Sequence, residues 1–371
     1  RCLYKWNKSF SRWWFNQRLL VKNCFKKDIF SQKKISWNKN NLIEKEEIQK
    51  IKFFLEKNNF GNLIYVKKRL GLESNSQNFK IKINNHTYLL KKWSMNLSTQ
   101  EVNSIIRLNQ DLSKIKSLVP KIVKVNGYKT FKINNECWTL YNFIDAGHYS
   151  GSKNEFSNLS LELGRFFKGL KKIHKKSKSP NIFKYYDYNS KKTLLKIKKN
   201  KKNWKSMFGI KLAKIVSKNF KLIEDTYLLN SKKTNLVKVN QFSHFDLHPH
   251  NILVKKEKVI SFLDIESCKQ MNAGYALAFC CLKICKQTIS ENKIKDLDTI
   301  KKYVEIFRKK VSLNYPDIDI LFPYFFYFST SEVLRRILII FNQNLKSINT
   351  WNKVLEIQID HLKEAKILFR N

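Results

Sequence analysis

Apolar positions change period along the chain, and each change marks an element. Ile48, Ile51 and Leu55 share one helical face; Asn41 and Glu44 have the spacing of a capping box that opens the helix, and Gly61 suits its end. From Leu63 the period becomes two. Leu63–Leu70 reads as a strand, and Phe79, Ile81 and Ile83 alternate with Lys80 and Lys82. Asn84-Asn85 offers a tight turn, because Asn tolerates positive φ, and Thr87–Trp93 is the returning strand. Ser98-Thr-Gln-Glu101 then opens a helix whose apolar face is Val102, Ile105, Ile106 and Leu108. Two more strands are predicted, Lys121–Val125 ending at Asn126-Gly127, and Cys137–Ile144. The remainder reads as mostly helical: Leu163, Phe166, Leu170 and Ile173 keep helical spacing, and so do Ile300–Val311 and Ser331–Phe341. A polar, lysine-rich stretch from about Lys175 to Lys202 leads to further helix with Ile210, Leu212, Ile215 and Phe220.

One segment departs from this plan. HFDLHPHNILVKKEKVISFLDIE, His244 to Glu266, sets three histidines, four carboxylates and an Asn around two short apolar runs. Ile252-Leu-Val254 and Val259–Leu263 read as a hairpin turning at Lys255–Lys258, with Asp246 and Asn251 in a Pro249-stiffened loop before it and Asp264 closing it. A hairpin returns its far end beside its beginning, so Asn251 and Asp264 are expected to meet. A carboxylate and an amide oxygen so placed suit Mg²⁺, which takes one or two protein oxygens and fills its shell with water and phosphate. Asp246, close by, is then a candidate to accept a proton from an attacking hydroxyl.

Composition bounds the class. The chain has 371 residues, 43% of them hydrophobic and 13% aromatic, so it can bury a sizeable core. No run approaches the eighteen or so apolar residues of a bilayer span. The first residues lack the pattern of a signal peptide, and a cytoplasmic protein is expected. The chain opens on Arg1 rather than Met, which leaves room for a preceding segment. Residues 1–40 are basic and carry Trp6, Trp13, Trp14 and Trp37, suited to packing on the body or to contact with a membrane surface. The formal net charge of +44 raises the prospect of a nucleic-acid or anionic-surface binder. It is carried by Lys far more than Arg and spread through every segment, which argues against nucleic-acid recognition as the main task. Seven cysteines show no metal-knuckle spacing; Cys280, Cys281 and Cys285 fall on an apolar helix as buried thiols.

The spacing of His244, Asp246 and Asn251, followed after a hairpin by Asp264, resembles the phosphoryl-transfer layout of protein kinases. HFDLHPHNIL with ISFLDIE is most similar to the aminoglycoside phosphotransferase and choline kinase family: Phe245 stands where protein kinases have Arg, and Ile265-Glu266 where they have Phe-Gly. The resemblance implies an α+β, protein-kinase-like two-lobed fold. Its expected parts are a basic aromatic extension (1–42), a nucleotide-binding antiparallel-sheet lobe with one helix (43–142) and a helical lobe (143–371). It further implies ATP and Mg²⁺ as cofactors and a small-molecule hydroxyl as acceptor. Lys91, in YLLKKW, would anchor the nucleotide, braced by Glu101, whose rival role is the cap with Ser98. Backbone groups at Asn142–Ile144 would read the adenine. Asp246 would be the base, Asn251 and Asp264 the metal ligands, and His248 and Glu266 outer-shell or substrate contacts.

Two departures bear on activity. The phosphate loop, Gly71 to Asn78, has one glycine, and Ala276 stands where the family usually has an Asp that braces the catalytic loop. A catalytically weak or dead nucleotide-binding scaffold is therefore the alternative reading, beside a basic binder of nucleic acid or anionic surfaces. The acceptor would lie against helices from Lys175–Asn240 and Lys293–Asn371, where Glu332, Arg335 and Arg336 are candidates.

Overall fold

The computed structural model describes residues 45–68, 76–175, 191–231, 239, 241–294, 296–315, 333–334, 337, 355–360 and 362–363. The N-terminal extension, the phosphate loop at Gly71 and the positions Glu332, Arg335 and Arg336 lie outside them.

Helix α1 (Lys45–Lys57) precedes β1 (Leu63–Lys68), β2 (Gln77–Ile83) and β3 (His86–Lys92). Helix α2 (Thr99–Lys114) is inserted before β4 (Ile122–Val123), β5 (Phe131–Ile133) and β6 (Glu136–Asn142). The strands form one antiparallel sheet in the order β1-β2-β3-β6-β4, with β5 added to β6. Alternation decides its two faces. Phe79, Ile81, Leu90 and Leu140 turn to a core shared with Ile51 and Leu55 of α1. Glu47 of α1 fastens that side by pairing with Lys68 at 3.6 Å and Lys92 at 3.3 Å. Lys91, one residue out of phase with Lys92, faces the other way.

Helix α2 begins as the sequence predicts, with Ser98 and Glu101 in a complete capping box. Its apolar face, Val102, Ile105, Ile106 and Leu112, joins the core of the larger region rather than that of the sheet. That region runs through β7 (Gly147–His148), α3 (Lys153–His174), β8 (Gln241–His244), β9 (Ile252–Lys255), β10 (Lys258–Phe262), β11 (Cys268–Met271), α6 (Ala273–Glu291) and α7 (Leu297–Ser312). Helices α3 and α7 approach closely at Gly164, where a Cβ would lie 2.5 Å from the Val311 carbonyl oxygen. Between α3 and β8, helices α4 (Lys191–Lys199) and α5 (Trp204–Ser231, broken at Gly209) build a separate core with Val333, Leu334, Ile337, Leu355, Ile359 and Leu362.

The structure differs from the sequence reading in three places. The strand expected at Lys121–Val125 is only Ile122–Val123, because Val125 turns back onto Tyr128 across Asn126-Gly127, both at positive φ. Strand β5 is additional to the strands the periodicity predicts; it reaches β6 through Asn134-Asn135, φ 48° and 66°, the backbone of a tight hairpin turn. Helix α4 lies inside the stretch read as polar: Thr193, Leu194 and Ile197 are its buried face, and lysines hide the pattern.

Candidate functional site

The hairpin forms as expected. Its turn is Lys256-Glu257, φ 49° and 62°, and the ladder pairs Phe262 with Ile252. One residue further, the Leu263 N–H donates to the Asn251 carbonyl at 2.8 Å, so Asn251 and Asp264 are neighbours across the mouth of the hairpin. The short turn of helix at Pro249–Asn251 sets Asn251, whose Nδ2 donates to the Asp246 carbonyl at 2.9 Å. With Nδ2 so engaged, Oδ1 is the end of that amide able to face a cation. Asp264 has left-handed backbone, φ 60° and ψ 48°, and its Oδ2 accepts from Ser267 Oγ at 2.5 Å. The Asp246 side chain is 43% exposed.

His244 stitches the two ends together. Its Nε2 lies 2.9 Å from the Leu263 carbonyl, and the Asp246 N–H lies 3.3 Å from Nδ1. A carbonyl only accepts and an amide N–H only donates, so the ring is neutral with its proton on Nε2. Complete burial pushes the imidazole pKa below its ordinary value, which holds that state. His248 approaches Asp246, Nε2 to Oδ2 3.9 Å, while its Nδ1 accepts from the His250 N–H at 3.3 Å. The rings of His148, His250 and His248 stand edge to face in sequence, 5.8 Å and 5.6 Å between centroids.

Lys91 is nearly buried on the middle of the sheet, between Asn78 of β2 and Thr139 of β6. Its Nζ is bonded to Glu266 Oε1 and sits 4.3 Å from the centre of the Trp93 ring. This corrects the expectation that Glu101 braces it. Glu101 Oε2 is engaged by the Ser98 N–H at 2.8 Å and hydroxyl at 3.0 Å, so the local cap holds the carboxylate at the start of α2. Burial pushes the Glu266 carboxyl above the ordinary range, the Lys91 ammonium opposes this, and the Asp264 charge adds to it.

Beyond Asn142 the sheet ends. The Asn142 N–H donates to the Lys121 carbonyl at 3.0 Å and the Phe143 N–H to the Thr87 carbonyl at 3.3 Å, so both amides are spent inside the sheet lobe. Ile144 follows, its carbonyl accepting from the Ala146 N–H at 3.1 Å. Ala276 is fully buried on α6 in the main core. The loop around Asp246 is held without a carboxylate at that position, through His244 and Asn251. Cys280, Cys281 and Cys285 are buried thiols on α6, as the sequence suggests.

The donor set fits a cation carried in on a phosphate. Asn251 and Asp264, the residues on either side of the hairpin mouth, offer one amide and one carboxylate, and among the described residues no three His, Cys, Asp or Glu side chains gather as metal ligands.

A sheet lobe joined to a helical lobe, with Lys91 of the sheet bonded to Glu266 just past the hairpin, is a kinase-like architecture. Residues 68–291 match the model of the phosphotransferase enzyme family, more than half of the chain, and the protein belongs to that family. Among solved structures, it is similar to a spectinomycin phosphotransferase in complex with ADP and spectinomycin, at 16% identity and a TM-score of 0.61 over 87% of this chain and 97% of that one. An AMP-bound complex of spectinomycin phosphotransferase aligns at 14% identity and a TM-score of 0.56, covering 84% and 97%. A microcompartment-associated aminopropanol kinase aligns at 13% identity and a TM-score of 0.54, covering 86% and 99%. No curated protein matches the sequence.

Proposed function

We propose that the protein transfers the γ-phosphate of ATP to a hydroxyl of a small molecule, such as a sugar, an amino alcohol or a related metabolite. The observation that carries this reading is the closure of the hairpin mouth: Asn251 is bonded to Asp246 on one side and to Leu263, next to Asp264, on the other.

In this reading Asp246 accepts the proton of the acceptor hydroxyl as the new O–P bond forms and the bond from the γ-phosphorus to the β–γ bridging oxygen breaks, with ADP as the leaving group. Its exposure suits it to meet a substrate arriving from solvent. Asn251 Oδ1 and the Asp264 carboxylate hold Mg²⁺, which neutralises charge on the nucleotide's phosphates. Lys91 supplies a second positive charge on the phosphates, and Glu266 holds its ammonium in place until they arrive. Ile144, past the last sheet-bonded amides, is the backbone position offered to the adenine. The chain's task is positioning and charge neutralisation, since phosphoryl transfer asks for little covalent help.

The scaffold alternative rests on Ala276 and the glycine-poor phosphate loop. Intact Asp246, Asn251 and Asp264, and a loop held by other bonds, favour an active enzyme. A thermal-shift assay with ATP and Mg²⁺, followed by ATP consumption across a panel of hydroxylated metabolites, separates the two. Binding with acceptor-dependent turnover supports transfer; binding with no turnover on any acceptor supports the scaffold; no binding removes both.

A further inference from the structure

We infer that the outer face of the α4–α5 unit is a docking surface for an anionic membrane. Residues 191–231 contain twelve lysines, no arginine and two acids, a denser positive charge than the chain average. All twelve lysines are exposed, and the two acids, Glu224 and Asp225, are engaged by Lys198 and Lys221. The helices bury their other faces in a shared core, Leu194 and Ile197 of α4 with Ala213, Val216 and Ile223 of α5. The lysine faces are therefore the outside of one packed body.

Apolar side chains stand within that charge. Leu195, 42% exposed, lies at helical spacing between Lys191, Lys192 and Lys199. Ile210, 77% exposed, begins the face that carries Lys211, Lys214 and Lys218. Gly209, φ 75° and ψ 162°, breaks α5 immediately before it; this backbone is one that only glycine adopts readily, and it starts the second helix with an aliphatic side chain in solvent. Lysines around isolated aliphatic groups are the pattern of a helix lying on a bilayer surface: the ammonium groups reach anionic headgroups and the aliphatic groups enter the boundary below. Nucleic acid is the weaker fit, since its recognition draws on arginine forks and stacking aromatic rings, and the described part of this face exposes neither.

The test is co-sedimentation of the full chain with phosphatidylcholine vesicles and with vesicles containing about a third phosphatidylserine. Two triple variants are compared, one on α5 (Lys211→Gln, Lys214→Gln, Lys218→Gln) and one on exposed α7 lysines (Lys301→Gln, Lys302→Gln, Lys309→Gln). The expected result is binding to the anionic vesicles alone, weakened at least tenfold by the α5 set and less than twofold by the α7 set. Ile210→Ser, which keeps every charge, is expected to weaken binding severalfold. Equal loss from both lysine sets would assign the binding to net charge and overturn the docking face. Binding unchanged by the α5 set, or absent, would do the same, and transfer RNA displacing the protein from vesicles at equimolar phosphate would overturn the choice of a membrane. Unchanged melting temperatures show that the variants fold.

Discussion

The loop and hairpin from Gln241 to Met271 and the helices from Lys191 to Ser231 use charge in opposite ways. In the first, apart from Asp246 and the exposed hairpin tip Lys255–Lys258, the polar and charged groups are buried or half-buried. His244 is fully buried, Glu266 is bonded to a lysine from another lobe, and Asn251 spends its amide on the backbone. In the second, every lysine is exposed and the buried face is almost entirely apolar. Inward polar groups carry a desolvation cost that only specific bonds offset, so their geometry is fixed and each substitution is felt. Outward lysines keep their water, so each matters little alone and the face acts through its sum.

The largest effect expected from breaking this contrast is at Asp246. Asp246→Asn keeps size and hydrogen bonding but removes the base, and should lower acceptor-dependent turnover on the order of a hundredfold or more. Steady-state kinetics check this, with melting temperature as the control; turnover near wild type would contradict the role. Next is Glu266→Gln, which removes the rival partner of Lys91. Nucleotide affinity without Mg²⁺ should then tighten by roughly threefold to tenfold, about 1 kcal/mol, readable by calorimetry. Weaker binding would show instead that Glu266 supports the nucleotide site directly.

Acidity probes His244. Its folded pKa lies below that of an unfolded histidine, so the unfolded chain takes up a proton first as pH falls. The stability His244 contributes is present above about pH 6.5, the ordinary histidine value, and is lost as pH drops towards the folded pKa. Denaturant titrations between pH 7.5 and 5.5 should show this loss in the wild type and a flatter profile in His244→Gln. A wild-type profile as flat as the variant's would exclude His244 as the source.

The smallest effect is at the cap. Ser98→Ala should cost roughly 1 kcal/mol of stability and leave turnover within about twofold, because Ser98 and Glu101 serve the start of α2. A large fall in turnover from Glu101→Gln, with stability little changed, would restore Glu101 as the brace of Lys91.

What the sequence disclosed follows the range of the interactions involved. The hairpin, the capping box and the alternating strands are local, and periodicity with turn residues announced them. Asn251 beside Asp264 was also legible, because a hairpin maps sequence onto space directly. The pairing of Lys91 with Glu266 joins residues 175 positions apart and leaves no local mark. Glu101 had two plausible partners, and the nearer, Ser98, won. Short strands such as Phe131–Ile133 carry too few alternations to register, and the lysines of α4 mask three buried side chains. The sequence marked Ala276 as a gap in the bracing of the loop; the bonds that fill it, from His244 to Leu263 and Asn251 to Asp246, depend on the folded geometry.

The most direct test of the central claim is calorimetric titration of ATP, with and without Mg²⁺, into the wild type, Asn251→Ala and Asp264→Asn. If the hairpin mouth holds the cation on the phosphates, Mg²⁺ should tighten ATP binding to the wild type by about tenfold or more and should lose most of that effect in either variant. An equal Mg²⁺ effect in all three proteins would contradict it.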